Sequence, residues 1–208
     1  MGKNKIILIG GSPTVGKSFT ARKLAEWLKI PWISTDTIRE QMREIVKKKD
    51  YPMLYFSVEG LNSKPGYYLK KHSAEQIVKH QNQESIEVWK GVKAIIETDY
   101  VWNSFIVEGV AILPKLVAKL AKKNKNIKAF FLVDENLNRV RKTIFTRGLW
   151  DDAHKYPHDV KEKEVEWVGV FNKYLIKESK KYKFPVIRAG KQKNFPKQFK
   201  KILKKIWQ

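Results

Sequence analysis

Apolar residues along this chain fall into two rhythms: short unbroken runs, and longer stretches in which they recur every three or four positions. Residues 5–10 (KIILIG) are a run halted by glycine and predict a short buried strand. From 17 to 28 the rhythm changes, and Ala21, Leu24, Ala25 and Leu28 line one face of a predicted helix. Residues 30–35 (IPWIST) predict a second strand. Thr35 or Asp36 can cap the helix that follows, which carries Ile38, Met42 and Ile45 on one face. Residues 47–68 keep no period and hold two prolines, two glycines and four tyrosines, so an irregular segment with a short helix is expected. Ser73 and Gln76 have the spacing of a capping box, ahead of a long helix that buries Ile77, Val88, Trp89, Val92, Ile95 and Ile96.

The second half repeats the alternation. Residues 104–109 (SFIVEG) predict a third strand, 112–123 an amphipathic helix and 127–134 a fourth strand. Asp134 can cap a helix over 136–147, and residues 148–159 (GLWDDAHKYPHD) read as a polar loop. A long helix over 160–182, a fifth strand over 184–190 and a closing basic helix over 194–207 complete the chain. Strands that alternate with helices predict a mainly parallel sheet covered on both faces. The expected fold is therefore α/β: a five-stranded, three-layer α/β/α sandwich forming one domain over residues 1–208. Ligands in such sheets bind beyond the carboxyl ends of the strands. That rule directs attention to Gly10, Asp36, Glu108, Asp134 and Arg188.

Composition narrows the picture. With 42% apolar and 12% aromatic residues in 208, a sizeable core can be buried. Cysteine is absent, which excludes disulfides and thiolate metal sites. The apolar run at 6–9 is too short for the roughly 7–15-residue core of a secretory signal. No run approaches the roughly 18 residues of a membrane span. A soluble, cytoplasmic protein with no membrane contact is expected. The net charge is +22, and residues 177–208 alone hold twelve Lys or Arg against Glu178. A basic surface of this kind attracts nucleic acid and also small phosphorylated ligands. The excess is mostly Lys, as a plain solvated face would be.

The densest chemistry lies between the first strand and the first helix. Gly11-Ser12-Pro13-Thr14-Val15-Gly16-Lys17-Ser18 fits the phosphate-loop pattern G-x-x-x-x-G-K-[ST] in full, with Phe19 following. At typical glycine and lysine frequencies the pattern arises by chance in roughly 1% of chains of this length. Glycines let the backbone close around an anion, and loop and helix N–H groups converge on phosphate oxygens. Lys17 adds charge to the outer phosphates, and the Ser18 hydroxyl can ligate Mg²⁺. ATP with Mg²⁺ is the expected ligand pair, because residues 124–127 (NKNI) break the N-K-x-D guanine motif. The stretch 188–191 (RAGK) is expected to pack the adenine.

Neighbouring strand ends supply the rest of a transfer site. Asp36 can take a proton from an acceptor hydroxyl or help hold Mg²⁺. Arg39 and Arg43, four apart on one helix face, can clamp an anionic acceptor. Glu108 ends four apolar residues, an expensive place for an acid unless it meets a metal, water or a cation, and Gly109 follows it. Arg139, Arg141 and Arg147 precede the polar loop, and Arg147 is the leading candidate for a catalytic arginine on a lid over about 147–160. His154 and His158 read as lid surface.

The combination of ILIGGSPTVGKS, ISTDTIRE and VEGVAILP resembles the 2-phosphoglycerate kinase family of phosphate-loop kinases. It is similar more broadly to gluconate, shikimate and adenylylsulfate kinases and to chloramphenicol phosphotransferase, with a nucleoside-monophosphate-kinase-like architecture. The resemblance covers residues 5–45 well and 104–114 fairly. It implies transfer of the ATP γ-phosphate to a hydroxyl of a small, often anionic substrate. Lys17 and Ser18 would then serve phosphate and Mg²⁺, Asp36 would orient or deprotonate the hydroxyl, and Arg39 and Glu108 would face the substrate. The aromatic stretch over 47–72 departs from the family and would suit a base or ring as well as a glycerate. Two other readings stand beside this one: a nucleoside or polynucleotide (RNA) kinase that uses the basic C-terminal region, and a nucleotide-dependent switch or toxin-like module.

Overall fold

A computed structural model describes residues 5–55, 66–98, 102–149, 155–189 and 204. Five parallel strands make one sheet: β1 (Ile6–Gly11), β2 (Trp32–Ser34), β3 (Phe105–Gly109), β4 (Ile127–Val133) and β5 (Val186–Arg188). Their order across the sheet is β2-β3-β1-β4-β5. The helices are α1 (Lys17–Leu28), α2 (Thr35–Ile45), α3 (Tyr67–Lys71), α4 (Ala74–Glu97), α5 (Pro114–Ala121), α6 (Leu137–Arg147) and α7 (His158–Lys181). The five-stranded α/β/α sandwich expected from the alternation is the fold observed.

Period-two alternation along the strands divides the core. Ile7, Ile9, Ile106, Phe130 and Leu132 face one side and pack on Ala21, Leu24 and Ala25 of α1. Leu8, Phe105, Val107, Ala129, Phe131 and Val133 face the other, where α4, α5 and α7 cover them. Each fully buried Ile or Leu contributes about 1.5–3 kcal/mol of transfer free energy, so both faces are strongly specified. A third cluster, Val140, Ile144, Val165 and Val168, joins α6 to α7.

Several local expectations shift by a residue or two. The cap of α2 is Ser34, whose Oγ accepts from the Asp36 N–H at 3.1 Å; Thr35 is the first helical residue. The cap of α6 is Asn136, not Asp134, whose carboxylate takes Arg139 instead. The capping box of α4 forms in both directions, with Gln76 N–H to Ser73 Oγ at 3.2 Å and Ser73 N–H to Gln76 Oε1 at 2.9 Å. Within the irregular stretch, a 3-10 turn spans Pro52–Tyr55 and α3 follows. The closing helix over 194–207 lies outside the described residues apart from Lys204, as does the part of the lid stretch over 150–154.

Candidate active site

Strand order decides what meets at the carboxyl edge. β1 runs between β3 and β4, so the loop after β1 opens beside the end of β3. Thr14 (φ 65°) and Gly16 (φ 88°) both take left-handed backbone in that loop, a costly conformation for the threonine. Gly11 is required for a different reason: a Cβ there would lie 2.6 Å from the Leu132 carbonyl. Lys17 Nζ donates to the Ser12 carbonyl at 2.9 Å, spanning the loop. Burial lowers the Lys17 pKa, Glu108 and Asp36 oppose that, and the nearby charge of Arg147 adds to it. Ser12 itself is fully buried, and its Oγ has no partner among the described residues.

Glu108 is 1% exposed and sits opposite Ile9 on β1 and Ser34 on β2. It accepts a 2.9 Å hydrogen bond from Ser18 Oγ, so the last residue of the loop pattern meets the acid of the third strand. Burial raises the Glu108 pKa against the pull of Lys17 and hydrogen bonds from Ser18 and Ser34, while the Asp36 charge adds to the rise. A buried carboxylate at this edge, its pKa still raised despite Lys17 and the two serines, is an arrangement suited to a further cation. Ser18 and Glu108 are therefore the pair that fits Mg²⁺.

Gly109 brings β2 and β3 together. A Cβ at this position would fall 1.7 Å from Thr35 Oγ1, and its φ of 152° disfavours L side chains besides. That close approach sets the start of α2, and with it Asp36. Asp36 lies in the first turn of α2, where a carboxylate is favoured by the helix dipole. Its charge reaches both Lys17 and Glu108.

Arg39 and Arg43 do share a face of α2, but their environments differ. Arg39 NH1 lies 3.2 Å from Asp36 Oδ1 and 4.0 Å from Glu84 Oε2, and its NH2 lies 3.0 Å from Glu40. Arg43 is engaged inward: it meets Glu84 at 2.8 Å, Glu40 at 2.8 Å and the Leu54 carbonyl at 2.6 Å. Glu84 on α4, itself buried, escaped the sequence reading. A signal existed, since position 84 falls in the same helical stripe as Ile77 and Val88, where an acid needs a partner. Ser34, which touches both Glu108 and the Asp36 N–H, was also missed.

The lid arginines separate. Arg139 donates to Asp134 at 2.6 Å and to the Ala189 carbonyl at 2.9 Å, which ties β4, α6 and the end of β5 together. Asn172 of α7 braces the same corner through the Asp134 backbone. Arg141 pairs with Glu162 on α7. Arg147 ends α6 near Lys17. His158 packs edge-on against Phe145, and His154 lies outside the described residues.

No protein-family model matches the chain. Among curated proteins it is similar to archaeal proteins named 2-phosphoglycerate kinase. It is 32% identical to that of Methanococcus maripaludis strain C5 over 191 residues, 88% of this chain and 58% of the relative. With the Methanocaldococcus jannaschii protein it shares 29% over 186 residues, 88% of this chain and 57% of that one. With the Methanothermobacter thermautotrophicus protein it shares 34% over 154 residues, 70% and 48%. The chain thus spans less than two thirds of the length of these relatives. A gluconokinase from Sinorhizobium meliloti 1021 superimposes with a TM-score of 0.53 at 12% identity, covering 100% of this chain and 94% of that one. TT1252 from Thermus thermophilus gives 0.53 at 16%, covering 98% and 96%. These likenesses establish the fold. No helix among the described residues is long and apolar enough to cross a membrane.

Proposed function

The chain is a relative of the archaeal proteins named 2-phosphoglycerate kinase, and on that premise we propose that it transfers the γ-phosphate of ATP to a hydroxyl of a small anionic acceptor. 2-Phosphoglycerate is the first candidate. The observation that carries the reading is the meeting of Ser18 with Glu108 at 2.9 Å beside Lys17, within electrostatic reach of Asp36. A phosphate holder needs only the loop, whereas a transferase also needs a carboxylate where the acceptor hydroxyl would lie.

Each residue has a part in that reaction. Residues 11–19 cradle the phosphates through backbone N–H groups at the start of α1. Lys17 stabilises charge on the transferring group. Ser18 and Glu108 would hold Mg²⁺, which would supply neutralisation of the phosphate oxygens. Asp36 accepts the proton of the attacking hydroxyl. Arg39 receives the anionic group of the acceptor, with Arg43 behind it and the Gly109 backbone alongside. Arg147 comes over the transferring group from a lid at about 147–160 and excludes water. The whole chain acts as one catalytic domain, in a soluble cytoplasmic setting. The nucleic-acid alternative draws on residues 194–207, outside the described set apart from Lys204, and gains no support from the relatives.

The test is release of ADP from MgATP in the presence of 2-phosphoglycerate, glycerate, gluconate, nucleosides and a 5′-hydroxyl RNA. Acceptor-dependent release with a small acid supports the reading. Release with RNA or nucleosides alone transfers it to the alternative.

A further inference from the structure

The five charges around the start of α2 do not add up to an anion-binding surface. Arg39 and Arg43 contribute two positive charges; Asp36, Glu40 and Glu84 contribute three negative ones, a net of −1. Arg39 is 23% exposed and lies against all three carboxylates; Asp36 and Glu40 are both exposed, at 59% and 58%, but Glu40 is also held by Arg43 NH1 at 2.8 and 3.1 Å. Glu84 is fixed from behind, because its other oxygen is held by the buried Arg43 at 2.8 Å. An acceptor anion reaching Arg39 therefore competes with Asp36, the exposed carboxylate that Arg43 does not also hold. The two remaining carboxylates stay in place.

We infer that Arg39 is an exchangeable counter-ion: paired with Asp36 before an acceptor binds, it passes to the anionic group of the acceptor, with Glu40 and Glu84, both held by Arg43, as its anchors, and so frees Asp36 as base only when an acceptor has arrived. This rests on the kinase reading and adds acceptor gating to it. In the productive step, the acceptor oxygen forms a bond to the γ-phosphorus and the bond from that phosphorus to the β,γ-bridging oxygen breaks. The electron pair leaves with ADP, and the hydroxyl proton passes to Asp36. In the unproductive step water replaces the acceptor and phosphate is formed, with its proton going to the same carboxylate. Holding Asp36 in an ion pair until the acceptor arrives suppresses that second step.

The gate is read without knowing the acceptor, as MgATP hydrolysis in acceptor-free buffer. Arg39→Gln unlocks Asp36, and hydrolysis is expected to rise about fivefold, the scale of a partly exposed ion pair. Arg39→Met removes the same charge and is expected to raise hydrolysis by a similar factor. Adding Asp36→Asn to Arg39→Gln is expected to abolish the rise. Binding of a fluorescent ATP analogue identifies folded variants, and Arg39→Met reports if Arg39→Gln does not fold. Hydrolysis at or below the wild-type rate in folded Arg39→Gln or Arg39→Met, or a rise that survives Asp36→Asn, overturns the gate. If wild type phosphorylates a small acid while Arg39→Gln shows no rise, the gate fails and the kinase reading stands. If no acceptor is phosphorylated and no variant hydrolyses ATP, both fail.

Discussion

Ser18 Oγ donates to Glu108 Oε1 at 2.9 Å across 90 residues of chain. The contact joins the end of the phosphate loop to the end of β3, because β3 is the immediate neighbour of β1 in the sheet. If this pair holds Mg²⁺, Glu108→Gln should raise the Mg²⁺ concentration for half-maximal ATP turnover at least about tenfold, one charge-assisted interaction. A magnesium titration of the steady-state rate checks it. The melting temperature without ligands should not fall, since a buried charge is removed. An unchanged magnesium requirement contradicts the assignment.

Gly109→Ala should be far more damaging than its size suggests. The new Cβ would lie 1.7 Å from Thr35 Oγ1, so β2 and the start of α2 must move. Asp36 is the next residue. Overpacking of this kind costs about 1–3 kcal/mol, and a small displacement of a reacting group costs about a hundredfold in rate. Comparing the melting curve with turnover should show a greater loss of turnover than the stability loss explains. Activity near wild type would mean that the Thr35–Gly109 contact does not place the site.

The pH profile should be narrowed from both sides. Burial raises Glu108 above the ordinary glutamate value of 4.5, so the carboxylate charge is lost as pH falls through a value above 4.5. Burial lowers Lys17 below 10.5, so the phosphate-binding charge is lost as pH rises through a value below 10.5. The value of kcat/KM for ATP, which reports the free protein, should therefore fall on the acid side above pH 4.5 and on the alkaline side below pH 10.5. Glu108→Gln should remove the acid limb and move the alkaline one to lower pH, because the Glu108 charge holds the Lys17 pKa up.

Glu164 gives a stability prediction away from the cleft. It is fully buried in the apolar stripe of α7 with Val160, Trp167 and Phe171, and neither oxygen has a partner among the described residues. Burial raises its pKa from 4.5 to about 8. An acid raised on folding stabilises the native state fully below its unfolded pKa, and the stability is lost as pH rises from about 4.5 towards 8. Glu164→Gln should therefore gain little at pH 4.5 and melt about 3 °C or more above wild type at pH 8. A gain independent of pH would contradict a buried, unpaired carboxylate.

The fold was legible because each strand is a near-continuous apolar run and each helix an amphipathic one, the pattern of a parallel sheet buried on both faces. The loop was legible because its glycines, lysine and serine are local in sequence. What sequence reasoning could not supply was lateral order. Glu108 and Ser18 meet only because β3 lies beside β1, and no short-range pattern encodes that neighbour. The same gap explains Arg43. Its spacing from Arg39 suggested a paired clamp, but Glu84 comes from a helix 41 residues away and draws it inward. Arg139 shows it again: Asp134 is five residues off, while the Ala189 carbonyl arrives from the far strand.

The central claim is that this site transfers phosphate to an acceptor hydroxyl with Asp36 as the base. The most direct measurement follows label from [γ-³²P]ATP into a panel of small phosphorylated and carboxylated hydroxy acids, 2-phosphoglycerate first, in wild type and Asp36→Asn. General-base catalysis contributes about 10²–10⁴-fold. The account predicts a labelled acceptor with wild type and at least about a hundredfold slower labelling with Asp36→Asn at unchanged ATP affinity. Wild-type protein that binds ATP yet labels no member of the panel, or Asp36→Asn protein that labels it at full rate, would contradict it.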